Sequence, residues 1–83
     1  MIQNPHPTVD AIVETTMANL EHPALRHALG SLTPLQRQSI VLAYYEGHHC
    51  GEVSEVLGVP VATVATRMRD GLIRLRECLG AGL

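Results

Sequence analysis

Phenylalanine, tryptophan and lysine are all absent from this 83-residue chain. Without the two largest apolar side chains, a core has to be assembled from Leu, Val, Ile, Met and Ala, with Tyr44 and Tyr45 as the only aromatics. A chain of this length makes one small domain, with enough apolar area for a helical core and little to spare. No apolar run approaches the roughly 20 residues that a membrane-spanning helix needs, so a membrane-embedded protein is not expected. No charged-then-apolar leader opens the chain, so no signal peptide is read and a cytoplasmic location is expected. Two cysteines, Cys50 and Cys78, are too few for a disulfide framework. Either they pair as a redox switch, or both are buried free thiols, the commoner state.

Chemistry is also missing. No Ser/His/Asp arrangement or glycine-rich phosphate loop stands in the sequence, so neither an enzyme nor a cofactor or small-molecule substrate is expected. His48, His49 and Cys50 invite a metal reading. Three consecutive residues converge poorly on one ion, however, and no CxxC spacing accompanies them, so no metal site is expected.

The charge is uneven. The net charge is −2. Residues 1–57 carry Arg26 and Arg37 against six acids, whereas residues 58–83 carry Arg67, Arg69, Arg74 and Arg76 against Asp70 and Glu77. The positive charge is therefore gathered near the C-terminus. That is either a solvated helix face or a surface for phosphate.

Periodicity predicts helices throughout and no strand. Met1 to Pro7 reads as a frayed tail. Val9, Ile12, Val13, Met17 and Leu20 give a helix over 8–20, with Thr8 as its N-cap. This helix packs on its own domain, swaps onto a neighbour, or mimics a missing partner. His22-Pro23 interrupts it, and a short helix follows with Leu25 and Leu29 on one face, ended by Gly30. Thr33-Pro34-Leu35-Gln36 is a capping box with proline at the first helical position. It starts a helix running to about Glu46, with Leu35, Ile40, Val41 and Tyr44 facing inward and Gly47 as its stop.

The next segment, CGEVSEVLGVPVATVATRMRDGLIRLR from Cys50 to Arg76, is the pattern of a helix-turn-helix. A short helix to Leu57 carries Val53, Val56 and Leu57 as its apolar stripe. Gly58 makes the turn, and Val59 plugs the gap between the helices. The last helix runs from about Val61 to Leu79, with Val64, Met68, Leu72, Leu75 and Leu79 as the inner stripe. Ala62, Thr66, Arg69, Asp70 and Ile73 are left facing outward. Gly71 lies inside this helix at a cost of roughly 1 kcal/mol against Ala, which suits a close approach by a partner or a bend.

In sequence order, Leu32, Pro34, Gln36, Arg37, Tyr44, Tyr45, Gly47, Glu55, Leu57, Gly58, Val59, Pro60, Thr63, Val64, Thr66 and Arg67 follow a known pattern. The segment from about Ala24 to Leu79 resembles the C-terminal promoter-binding domain of bacterial sigma factors, nearest the extracytoplasmic-function group. The run from Arg67 to Arg76 also resembles the sigma-K-like subgroup. The resemblance implies an all-α bundle of four to five helices, with residues 24–83 as the helix-turn-helix domain and residues 1–23 as a tail with an accessory helix or linker. It implies recognition of the minus-35 promoter element, docking on the β-flap of core RNA polymerase, and sequestration by an anti-sigma factor. It also implies that the chain is a domain of a longer protein or a severely reduced relative. Departures from the pattern are Ala65 for a usual Lys or Arg, Ser54 for Ala, Ala62 for Gly, and Asp70 where other members carry a base-facing Arg or His.

The expected DNA contacts are Arg37, Thr63, Thr66, Arg67, Arg69, Asp70 and Arg74. Arginine grips guanine bidentately, and Asp accepts from cytosine N4. The alternative is that Arg67 and Arg69 meet only phosphate, or pair with Asp70 or Glu77. Thr63 either donates to a phosphate near the helix start or caps the helix. Arg37 either reaches phosphate or pairs with an acid such as Glu55. A second reading is a protein-interaction module on the same scaffold, favoured by Ala65, Asp70 and the net negative charge. A third is the helix-turn-helix of another regulator class, such as a response-regulator output domain, which would lack the Tyr-Tyr-x-Gly segment.

Overall fold

A computed structural model describes residues 7–80, so the expected tail over 1–6 lies outside the described residues. Five α-helices follow in order: α1 (Pro7–Asn19), α2 (Pro23–Gly30), α3 (Pro34–Ile40), α4 (Cys50–Leu57) and α5 (Val61–Leu79). A π-helical segment, Val41–Tyr45, continues directly from α3. No strand occurs among the described residues, as the all-α reading expects.

Local chemistry explains the boundaries. α1 starts at Pro7, so Thr8 lies in its first turn and not at the N-cap position. The α3 capping box forms as read: the Thr33 Oγ1 accepts from the Gln36 N–H at 3.1 Å, and the Gln36 Oε1 accepts from the Thr33 N–H at 3.1 Å. Histidines start two other helices. The His22 Nδ1 accepts from the Leu25 N–H, and the His49 Nδ1 accepts from the Glu52 N–H, each at 3.3 Å. At the other end of α4, Gly58 takes φ 70° and ψ 33°, and its N–H returns to the Ser54 carbonyl at 2.8 Å. This left-handed cap suits glycine and satisfies a carbonyl the helix leaves open.

The core lies in two joined clusters. One gathers Val9 and Val13 of α1, Val41 and Leu42 of the π segment, Val53 and Leu57 of α4, and Val64 of α5. The other gathers Ala28 and Leu29 of α2, Leu32, Ile40 and Leu75. Met17 touches both. Helix α1 thus packs on its own domain. Val59 packs against the first cluster, as a plug between α4 and α5 should.

Several inward-facing expectations are corrected. Leu35, Tyr44, Val56 and Leu72 are exposed, Tyr44 to 60% and Leu72 to 40%. Tyr44 sits in the π segment, where the wider turn shifts the phase of the residues that follow. Leu72 fails for a geometric reason. Steps of four residues turn about 400° on a helix, so a strict i+4 series rotates out of the core by about 40° per step. Gly71 takes the inner position instead. It is buried, and a Cβ placed on it would lie 2.6 Å from Ile40 Cδ1. The close approach of α3 to α5 there leaves little room for a side chain unless Ile40 shifts.

Candidate nucleic-acid interface

Helix α5 lies with Val64, Gly71 and Leu75 buried, which fixes which side chains it presents outward. Its first turns expose Val61, Ala62, Ala65 and Thr66, followed by Arg69. Val61 and Ala65 complete a stripe of which the outward set read from the sequence held only Ala62, Thr66 and Arg69. Their spacing at i, i+4 and i+8 with Arg69 is the signal that could have found them.

The start of this helix is open. Pro60 is its N-cap residue and no side chain caps it. The N–H groups of Thr63 and Val64 bond to the Pro60 carbonyl at 3.0 and 3.1 Å. Thr63 is half-buried and does not serve as the cap. An uncapped helix N-terminus leaves first-turn N–H donors and a partial positive charge available to an anion.

The arginines divide. Arg69 is open, with its side chain 74% exposed, and its Nη2 lies 3.5 Å from the Asp70 Oδ1. Such an exposed pair of neighbours is worth about 0–1 kcal/mol, so it orients Arg69 without fixing it. Arg67 is half-buried, and its Nη1 is buried with no hydrogen-bond partner among the described residues. Arg74 is exposed and lines a groove with Ser31, Thr33, Gln36, Asp70, Ile73 and Glu77. Arg76 is exposed near the end of α5.

Arg37 stands apart from this face. Its Nε donates to the Leu29 carbonyl at 3.0 Å, and its Nη2 donates to the carbonyls of Gly30 and Leu32 at 3.1 and 2.8 Å. The guanidinium therefore ties α3 to the C-terminal end of α2, where carbonyls lack helical partners. It makes neither the pair with Glu55 nor any other ion pair among the described residues.

At the entrance to α4, His48 Nδ1 and His49 Nε2 lie 3.5 and 3.7 Å from the Glu52 Oε1. The His49 N–H donates to the same carboxylate at 3.1 Å, and this bond is the main reason the Glu52 pKa is lowered, with the neighbouring imidazoles adding to it. The cluster is thus a helix cap. Cys50 is a half-buried free thiol whose Sγ lies 3.8 Å from the Met68 Sδ. Cys78, expected to be buried, is exposed, and its Sγ lies 3.1 Å from the Ser31 Oγ. No described helix is long and apolar enough to cross a membrane.

Residues 22–75, which hold α2 through most of α5, match the family described as Sigma-70, region 4. The ECF RNA polymerase sigma factor SigK of Mycobacterium sp. (strain JLS) is 43% identical over 74 residues, covering 89% of this chain and 38% of that protein. The SigK of Mycolicibacterium vanbaalenii is 39% identical over 74 residues, with the same two coverages of 89% and 38%. The SigK of Mycobacterium tuberculosis (strain ATCC 25177 / H37Ra) is 41% identical over 76 residues, covering 92% of this chain and 41% of that protein. The chain thus spans about two fifths of the length of these curated relatives. No solved structure matches. With the family match running through both helices of the helix-turn-helix and through α2 and α3 before them, the chain belongs to the sigma-70 region 4 family.

Proposed function

We propose that this chain recognises the minus-35 element of a promoter in transcription initiation, with α5 in the major groove and α4 across its entrance. The observation that carries this reading is the outward stripe of α5. It begins at an uncapped helix start, presents small side chains suited to close approach, and continues into the exposed Arg69. First-turn N–H groups and the flanking Arg74 and Arg76 set the register on phosphates, and Thr66, Arg69 and Asp70 meet base edges. Thr63 and Arg67 support the same face from its flank. Arg37, engaged with three carbonyls, is left out of this contact set.

In this reading residues 24–83 are the DNA-reading domain, and residues 1–23 add the helix that closes its core. The chain works in the cytoplasm, with core RNA polymerase through the β-flap and with an anti-sigma factor as partners. The exposed Leu35, Tyr44 and Tyr45 supply apolar surface for a protein contact.

Arg69→Ala tests the assignment. It is expected to weaken binding to minus-35-like duplexes by about 1–3 kcal/mol and to relax base preference at the contacted position. Unchanged affinity and base preference would remove Arg69 from the interface. The contact between Arg69 and Asp70 also favours a second reading, a protein-interaction module with little DNA binding of its own. Co-purification with polymerase or an anti-sigma factor, combined with no duplex binding at low salt, would select it.

A further inference from the structure

We infer that the first two turns of α5 read thymine methyl groups, so that the preferred duplex carries thymines where this face meets the major groove. The inference rests on the DNA-reading role proposed above and names what that surface reads. Four side chains lead the outward stripe: Val61, exposed to 50%, and the exposed Ala62, Ala65 and Thr66. None carries a charge or an amide, and only Thr66 has a hydroxyl.

Apart from the Thr66 hydroxyl, reading by hydrogen bonds needs other residue types. Guanine calls for Arg or Lys, adenine for Asn or Gln, and cytosine for Asp or Glu. The nearest cations do not supply this at the head of the helix. Arg67 is half-buried at the flank with its Nη1 enclosed, and Arg69 lies two turns in with Asp70 beside it. What aliphatic groups can distinguish in the major groove is the C5-methyl of thymine. The same patch could in principle meet a protein. Its position between an uncapped helix start and Arg69, Arg74 and Arg76 favours a polyanion instead.

The test uses the whole chain with a randomised duplex pool at low salt, followed by replacement of each selected thymine by deoxyuridine. Loss of one contacted methyl is expected to weaken binding about fourfold, the equivalent of ~0.8 kcal/mol for a buried carbon. In Val61→Ser or Ala65→Ser, both at exposed positions, the deoxyuridine effect is expected to shrink toward nothing at one thymine, while helix content by circular dichroism stays unchanged. Selected duplexes that tolerate deoxyuridine at every thymine overturn the inference and leave the DNA role standing. So does a deoxyuridine effect that neither serine variant alters. Failure to select any duplex overturns the DNA role itself, and this inference with it.

Discussion

Arg37 binds three backbone carbonyls, and this defines its contribution. Charged donors to carbonyls contribute more than neutral ones, and the acceptors here sit at a helix end with few alternatives. Arg37→Ala is expected to lower stability by about 2 kcal/mol in urea unfolding. It should leave the salt slope of DNA binding unchanged, because the guanidinium is already engaged within the fold. A fall in the slope with no loss of stability would instead return Arg37 to the DNA. Gly71 shows a different kind of constraint. Ala would raise helix propensity by about 1 kcal/mol, but its Cβ would meet Ile40 Cδ1 in the core, so the local gain is offset by repacking.

Among the elements, α4 depends most visibly on its first turn. His49 and Glu52 exchange backbone-to-side-chain hydrogen bonds across the N-terminus, and the carboxylate adds favourable charge at the positive end of the helix. Because the folded pKa of Glu52 is lowered, its contribution is fully present above the ordinary glutamate range and is lost as pH falls through the folded value. Acidification through that window is therefore expected to destabilise the wild-type chain more than Glu52→Gln, which keeps an acceptor for the His49 N–H and has no proton to gain. Thermal melts of both proteins across the acid range give the comparison, and parallel curves would exclude the carboxylate. The π segment is the other element with a consequence. Glu46 donates to the Val41 carbonyl at 3.1 Å and His48 to the Leu42 carbonyl at 3.0 Å, so the wide turn carries directly into the connection before α4. It also turns Tyr44 outward, where the sequence pattern had it inward.

The whole molecule ties helix α5 to a helix far from it in sequence. Val13 of α1 shares a core cluster with Val53 of α4 and Val64 of α5, the residues that hold the helix-turn-helix together. Val13→Asp would bury a charge among them. It is expected to cost about 3 kcal/mol or more and to abolish duplex binding through unfolding, which circular dichroism would register. A variant that loses α1 packing yet still melts cooperatively at the wild-type temperature would make α1 an accessory. Charge acts at this scale too. The chain is acidic as a whole, with its excess of arginine confined to the last 26 residues, so in the proposed role the field steers the C-terminal part toward a polyanion.

Helix number, most boundaries, the Thr33 box, the Gly58 turn and the burial of Val53, Val64 and Leu75 were legible in the residues, because capping, left-handed turns and helical periodicity are local properties. So was the family, carried by an ordered set of residues around that turn. Tertiary structure decided which cations face outward and which do not. Arg37 and Arg69 look alike as letters, yet one sits among carbonyls it can satisfy and the other projects into solvent. It also decided that Leu72 yields the core to Gly71, since only the crossing of α3 over α5 makes a missing side chain the better fit. The acceptor role of His22 and His49 belongs between the two. It is a local bond, but it depends on a ring nitrogen that the residue name alone does not aim.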